Sequence, residues 1–146
     1  MFVVSLCFIS FALAEEQKHI MVTPADLKWA DAPTVAPGAK IAIIEGVLKE
    51  PMPFTLRLKL PAGTKLPPHT HPAVERVTVI SGALYLGIGE KFEPKNAKAF
   101  NAGSVAIMPV GMKMFAFTKK ETIIQLHGTG PWGISYIDPA DAPKTK

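Results

Sequence analysis

Short apolar segments separated by turn residues follow one another along the chain between residues 40 and 137. The clearest is FTLRLKL at 54–60, in which Phe and Leu alternate strictly with Thr, Arg and Lys. A period of two is typical of a β-strand that has one face in a core and the other in water. Similar segments predict strands at 41–47, 74–80, 83–89, 104–109, 113–118, 122–127 and 133–137.

The connections between these segments also favour an all-β protein. The chain contains 14 Pro and 11 Gly, which punctuate the apolar segments, and no long amphipathic helix is predicted. Ser81-Gly82 predicts a tight hairpin between two of the strands, and residues 90–102 predict a polar loop with a short helical turn. Many short strands at regular spacing are typical of a sandwich or barrel.

The beginning of the chain has a different composition. Residues 1–14 form one apolar run, MFVVSLCFISFALA, followed by the charged EEQK. Small residues at Ala12 and Ala14 predict a signal peptide that is cleaved before Glu15, so that the mature protein is exported to the periplasm or the extracellular space without a stable membrane anchor. An N-terminal membrane anchor or a buried strand is the alternative interpretation.

The remaining chain is predicted to be one domain at 40–140, preceded by a tail and first strand at 15–39 and followed by a C-terminal tail at 141–146. Hydrophobic residues make up 48% of the sequence, which excludes a disordered chain. The net charge is +4 and the lysines are spread out, so nucleic-acid binding is not expected. Cys7 is the only cysteine, and its loss with the signal peptide leaves no thiolate ligand and no disulfide.

Candidate chemistry lies in GTKLPPHTHPAVERVTVISG at 63–82. His69, His71 and Glu75 are spaced i, i+2 and i+6, which places them on one face of an extended strand. Two imidazoles and a carboxylate on one face suit a divalent first-row metal ion. The alternative is a pair of surface histidines at the junction of a loop and a strand.

The same stretch resembles the first sequence motif of the cupin superfamily at every position. The matching residues are Gly63, His69, His71, Glu75 and Gly82. The second cupin motif is met only in part, because Met114 stands where that motif has its metal-binding histidine and Thr118 where it has an asparagine. The residues of the second motif that do match are Gly103, Pro109 and Gly111.

This resemblance, which covers roughly residues 40–137, implies a conical antiparallel β-barrel, the jelly roll also called a double-stranded β-helix. It further implies a metal held inside the barrel by three histidines and a glutamate, of which only His69, His71 and Glu75 carry over to this chain. The metal is expected to be Fe, Mn, Zn, Ni or Cu. A small-molecule ligand or substrate and a homodimer are expected partners.

The absent histidine leaves four alternatives open. The site is open to water or substrate, or His127 or Gln125 compensates if the face of 123, 125 and 127 is the inner one. A third alternative is that Met114 ligates through its thioether, which favours copper. The fourth is that metal binding has been lost.

Three functions follow from these alternatives. The first is a metal-dependent, oxygenase-like enzyme that acts on a small organic molecule, with catalytic residues not identified. The others are a non-catalytic small-ligand-binding cupin and a metal-free structural barrel.

Six aromatic residues are expected to shape a pocket or to pack the core. They are Phe54, Tyr85, Phe115, Phe117, Trp132 and Tyr136. The segment GTGPWG at 128–133 matches G-x-G-x-x-G but is predicted to be a turn, because Pro131 lies inside it and a strand-like segment follows.

Overall fold

The computed structural model of the protein describes residues 19–144, which form two antiparallel β-sheets. The predicted signal peptide at 1–14 lies outside these residues. Within residues 19–144, no helix is long and apolar enough to cross a bilayer. Helical structure in this range comprises 3₁₀ helices of one turn at Pro24–Asp26, Pro94–Asn96 and Pro139–Asp141.

The strands of the two sheets are β1 (Ala30–Asp31), β2 (Lys40–Glu45), β3 (Pro53–Leu60), β4 (Lys65–Thr70), β5 (Glu75–Ser81), β6 (Ala83–Ile88), β7 (Lys98–Asn101), β8 (Val105–Met108), β9 (Met114–Thr118), β10 (Thr122–Thr129) and β11 (Ser135–Tyr136). The first sheet has the order β1-β2-β3-β10-β5-β8, and the second has the order β11-β4-β9-β6-β7. From β3 to β6 and from β7 to β11, successive strands alternate between the two sheets.

This topology is a jelly roll, because chain neighbours such as β4 and β5 lie in opposite sheets while distant strands pair. β10 pairs with both β3 and β5, and β9 pairs with both β4 and β6. The all-β prediction is therefore confirmed. The core lies between the sheets, and the alternating segment 54–60 contributes to it as predicted, since Phe54, Leu56, Leu58 and Leu60 are at most 2% exposed.

The predicted hairpin at Ser81-Gly82 is wrong. β5 and β6 do not pair with each other, because the chain passes here from the first sheet to the second. Gly82 makes this sharp corner with a φ of 80°, and a Cβ at this position would lie 2.5 Å from the carbonyl oxygen of Glu121. A tight turn between two apolar strands has the same local sequence signal in a hairpin and in a corner between sheets.

The eight predicted strands are all present, with ends that differ by at most two residues. The predicted loop at 90–102 contains the expected helical turn, Pro94–Asn96, but it also contains the edge strand β7. The two-residue strand β1 falls within the predicted tail and first strand at 15–39, and β11 falls within the strand predicted at 133–137. The proline-containing strand β4 was not predicted. Its sequence carries little alternation, so its strand conformation comes from the neighbours with which it pairs.

Candidate metal site

His69 is turned toward the interior by an irregularity in β4. Leu66 pairs with Ala116 and His69 pairs with Met114, so β4 has one residue more than β9 across this interval. The extra residue falls at Pro67-Pro68, which have no N–H group to donate to the ladder and are therefore accommodated in a bulge. As a result Pro68 and His69 are both buried, although they are adjacent in the chain.

His71 and Glu75 follow in the connection from the second sheet to the first. His71 lies just after β4, and Glu75 is the first residue of β5. The three candidate ligands are therefore not on one strand, as the i, i+2, i+6 argument assumed, because the chain turns between His71 and Glu75. They nevertheless share an interior position, since His69, His71 and Glu75 are 3%, 4% and 4% exposed.

Both histidines are held by backbone carbonyl groups through Nδ1. The Nδ1 atom of His69 lies 2.7 Å from the carbonyl oxygen of Pro67, and that of His71 lies 2.7 Å from the carbonyl oxygen of Gly133. A carbonyl oxygen only accepts, so Nδ1 carries the proton in each ring and Nε2 keeps its lone pair when the ring is neutral. Burial lowers the pKa of both histidines and so favours the neutral form.

The Glu75 carboxylate has two different surroundings. Its Oε1 accepts a hydrogen bond of 2.9 Å from the indole Nε1 of Trp132, and its Oε2 lies 3.4 Å from Nε2 of His71. Burial raises the pKa of Glu75, and the hydrogen bond from Trp132 opposes this effect in part. A charged carboxylate here needs a compensating positive charge, because desolvation in the interior is costly.

The contact between His71 and Glu75 brings two electron-pair donors together. Nε2 of neutral His71 and Oε2 of ionised Glu75 both present lone pairs, and two acceptors do not attract each other. A proton or a metal cation between them removes this conflict. The ring of His69 lies beside them, with its centroid 5.0 Å from that of His71 and the two planes 84° apart. The donor set therefore fits a first-row metal, with Nε2 from two imidazoles and one carboxylate oxygen.

The side chains do not form a complete ligand cluster as they stand. Across residues 19–144, no group of three or more His, Cys, Asp and Glu side chains is positioned to hold one ion. His71 and Glu75 are close enough to share a cation, and the ring of His69 lies beside that of His71.

A comparison with protein families gives one decisive match. The sequence profile of the ChrR cupin-like domain matches residues 17–132, which is most of the chain. The chain belongs to this ChrR cupin-like family. No curated protein matches it in a sequence search.

Solved structures share the fold of this ChrR cupin-like protein at low sequence identity. The polyketide cyclase RemF from Streptomyces resistomycificus has a TM-score of 0.69 and 13% identity, over 86% of this chain and 90% of that one. A proposed acetylacetone dioxygenase from Methylibium petroleiphilum PM1 has a TM-score of 0.66 and 13% identity, over 92% and 91%. An RmlC-like cupin from Shewanella frigidimarina has a TM-score of 0.60 and 13% identity, over 79% and 94%. These similarities establish the cupin fold.

Met114 lies on β9 of the ChrR cupin-like domain, directly opposite His69 of β4. It is 2% exposed and lines the same central cavity as His69, His71 and Glu75. The position where the second cupin motif has a histidine thus faces the candidate site, and it presents a thioether in place of an imidazole.

His127 and Gln125 do not face the site. The inner residues of β10 are Ile124 and Leu126, which line the cavity, so the face of 123, 125 and 127 is the outer one. Gln125 accepts a hydrogen bond of 3.1 Å from Nε of Arg57. His127 is flanked across the sheet by Thr55 and Arg76, and its Nδ1 is buried without a hydrogen-bond partner among the described residues. A compensating ligand from β10 required the face of 123, 125 and 127 to be the inner one, and it is not.

The central cavity is small and mostly apolar. Its volume is about 30 Å³, which is enough for one or two water molecules. Trp132 and Ile134 separate it from a surface pocket of about 340 Å³, which Leu48 and Lys49 also line. The cavity that the three candidate ligands line is thus too small for an organic ligand of more than a few atoms.

Sequence reasoning did not identify Trp132 or the carbonyl groups of Pro67 and Gly133 as parts of the site. Trp132 was expected to shape a pocket or to pack the core, like five other aromatic residues. Of that group, Trp132 alone lines the central cavity within the described part of the chain. Two signals pointed toward it, namely a tryptophan inside a glycine-rich turn and the absence of a helix after that turn.

Proposed function

We propose that this domain binds one divalent first-row transition metal ion through His69, His71 and Glu75, and that the open coordination positions take a small oxygen-containing ligand. The observation that carries this proposal is the contact of 3.4 Å between Nε2 of His71 and Oε2 of Glu75. The Nδ1 atoms of both histidines are already engaged with backbone carbonyls. This second layer of hydrogen bonds is the usual arrangement around metal-bound histidines.

The protein side of the chemistry follows from the cavity. His69 and His71 would supply neutral nitrogen ligands, and Glu75 would supply one negative charge that offsets part of the charge of the ion. When bound, the ion supplies Lewis acidity and, for iron or copper, redox chemistry. The apolar walls formed by residues such as Leu58 and Leu126 would exclude bulk water and strengthen electrostatic interactions at the ion.

An oxygenase-like reaction on a small organic molecule is the enzymatic form of this proposal. One support is the fold shared with a proposed acetylacetone dioxygenase. The other is the cavity lining, in which two histidines and one carboxylate are the candidate nitrogen and oxygen ligands and most other residues are apolar. The cavity of about 30 Å³ has room for a metal-bound ligand of the size of water or dioxygen. The organic molecule would then bind from the surface pocket on the other side of Trp132.

A metal-free binding or structural domain is the competing function, and two observations favour it. No three-ligand group is preassembled within residues 19–144, and Glu75 has a raised pKa. A protonated Glu75 would donate a hydrogen bond to Nε2 of His71 and satisfy both groups without an ion.

Elemental analysis of the protein, purified without chelators or added metal, separates the two functions. We expect near-stoichiometric Fe, Mn, Ni, Cu or Zn in the wild type and a large loss in Glu75→Ala. Glu45→Ala is the matched control, because Glu45 is exposed on β2 and accepts a hydrogen bond from Thr55. Metal contents that are equally low in all three proteins, and that remain low after incubation with each metal, would contradict the proposal.

Export and dimer formation remain predictions. Export depends on the composition of residues 1–14 and is tested by sequencing the N-terminus of the protein recovered from the periplasm, where Glu15 is the expected first residue.

A homodimer has a suitable surface at β8, an edge strand whose Val105 and Ile107 are 56% and 60% exposed. Light scattering of the wild type and of Ile107→Lys tests that surface.

A further inference from the structure

Trp132 holds one oxygen of the candidate ligand Glu75. Its indole Nε1 donates a hydrogen bond of 2.9 Å to Oε1, and the two residues are 57 positions apart in the chain. An indole N–H only donates a hydrogen bond. It therefore stabilises the ionised carboxylate and cannot accept a hydrogen bond from the O–H of a protonated carboxyl group. Oε2 is left on the side of His71.

The residue next to Trp132 holds a second candidate ligand. The carbonyl oxygen of Gly133 accepts the hydrogen bond from Nδ1 of His71, and the indole of Trp132 stacks on the same imidazole, with ring centroids 5.8 Å apart and planes 15° apart. Two adjacent residues therefore contact His71 and Glu75 together. Their orientation depends on the placement of one short segment, residues 130–134, which we call the 130–134 loop.

The 130–134 loop is itself fixed by a part of the chain that contains no candidate ligand. The backbone N–H of Trp132 donates to the carbonyl oxygen of Leu48 at 2.7 Å, and that of Gly130 donates to the carbonyl oxygen of Met52 at 2.8 Å. The indole also packs against Phe54, with ring centroids 6.3 Å apart. The contacts with Leu48 and Phe54 thus fix the position of Trp132, so that its indole N–H group points at Glu75.

We propose that Trp132 is a positioning residue that restricts Glu75 to binding the metal through Oε2 alone. This inference rests on the proposed metal function. A carboxylate without such a donor can rotate and bind an ion through both oxygens, or turn away from it. With Oε1 occupied, Glu75 offers one oxygen beside Nε2 of His71 and leaves more of the coordination sphere for an exchangeable ligand.

The test compares Trp132→Phe with Trp29→Phe, the only other tryptophan substitution available in the chain. Phe at 132 keeps an aromatic ring against His71 and Phe54 and removes the N–H donor. Trp29 is remote from the site and lies against Nζ of Lys59 at 4.8 Å. Co²⁺ is titrated into each chelator-treated protein, and its visible absorption reports affinity and coordination geometry.

We expect Trp132→Phe to weaken Co²⁺ binding by about 10- to 100-fold and to change the absorption spectrum, as substitutions of groups that orient metal ligands usually do. Trp29→Phe should leave both unchanged. In a Glu75→Gln background the additional effect of Trp132→Phe should fall below about threefold, because the two residues act through one contact. Equal losses in the two backgrounds would overturn the inference.

A metal-free measurement checks the contact itself. In Trp29→Phe, the single remaining indole N–H signal belongs to Trp132 and should exchange slowly with solvent, and its exchange should accelerate when Glu75→Ala is added. Fast exchange in the parent protein would overturn the inference. If the wild type and Trp132→Phe bind Co²⁺ equally well, the positioning role is refuted and the proposed metal function is not. Wild-type protein that binds no metal refutes the proposed function and the positioning role with it.

Discussion

On one side of the central cavity His71 and Glu75 are each hydrogen-bonded to the 130–134 loop, whereas on the other side β9 contributes Met114, which offers no hydrogen bond. The first side is therefore oriented by partners at fixed distances of 2.7 Å and 2.9 Å. Met114 is placed only by its burial and by the pairing of β9 with β4. Under the proposed function, the His71–Glu75 side provides ligands that are already oriented, while Met114 contributes to the shape of the cavity.

This contrast also explains why a cupin domain with Met114 in place of the second-motif histidine keeps a polar interior. A histidine or a glutamate left in an apolar core without partners is destabilising. Here the two imidazoles and the carboxylate all have hydrogen-bond partners that do not depend on residue 114. The domain can therefore fold around this polar cluster whether the fourth position holds a histidine or a methionine.

The largest expected effect comes from removing one of the two candidate nitrogen ligands. His69→Ala and His71→Ala should each weaken metal binding by about 100-fold or more, because each removes one of only two nitrogen ligands. His127→Ala is the matched control, since its imidazole lies on the outer face of β10. Competition with a chelator of known affinity measures the change. A loss in His127→Ala as large as in His71→Ala would show that the ligands are assigned to the wrong strand.

The next effect comes from adding a ligand on the Met114 side. Met114→His should strengthen binding of Zn²⁺ or Co²⁺ by about tenfold or more, because it completes a four-ligand site. Met114→Leu keeps the volume and removes the sulfur, so it should change affinity for these ions little. If Met114→Leu selectively weakens Cu⁺ binding, then Met114 is a thioether ligand and the two sides of the cavity differ less than we infer.

A smaller effect is expected from displacing the 130–134 loop. A Cβ on Gly130 would collide with the carbonyl oxygen of Glu50, so Gly130→Ala should lower the free energy of unfolding by about 1–3 kcal/mol and weaken metal binding at the same time. Gly133→Ala lies in the same loop, and a Cβ there meets no atom within 4 Å. It should leave both quantities nearly unchanged. Urea unfolding with and without Zn²⁺ measures them, and equal effects of the two substitutions would contradict the proposed anchoring.

The smallest expected effect is a difference in the pH dependence of stability between the two histidines and Glu75. Burial lowers the pKa of His69 and His71 below 6.5, so their contribution to the stability of the metal-free protein is present above pH 6.5 and is lost as the pH falls through the folded-state pKa. Burial raises the pKa of Glu75 above 4.5, so its contribution is present below pH 4.5 and is lost as the pH rises through the folded-state pKa.

Substitutions separate these two opposed contributions. When the pH is raised from 5 to 7, Glu75→Gln should gain stability relative to wild type, because it lacks the carboxyl group whose pKa is raised by burial. The double variant His69→Gln with His71→Gln should lose stability relative to wild type over the same interval, because it lacks the imidazoles whose pKa values are lowered by burial. Urea unfolding of metal-free protein at the two pH values measures the differences. The same sign in both variants would show that the histidines and the glutamate do not titrate as buried groups.

The sequence alone determined the all-β fold and the three candidate ligands. Strict alternation at 54–60 requires one buried face, and its Phe and Leu residues are indeed in the core, because burial of apolar surface dominates the choice of conformation in such a strand. The local motif of His69, His71 and Glu75 also identified three residues that the structure buries. Both effects act between residues that are near each other in the chain, so a local pattern is enough to predict them.

Only the tertiary structure decided which sheet each strand joins and which residues orient the ligands. A glycine corner and a hairpin have the same local signal, so the transfer of the chain at Gly82 could not be distinguished from a turn. The contacts of Trp132 with Glu75 and of Gly133 with His71 join positions 57 and 62 residues apart. Whether the inner face of β10 carries Ile124 or His127 depends on its register with β3 and β5, which is set by packing between the sheets. These features depend on long-range pairing, for which a single sequence contains no local signal.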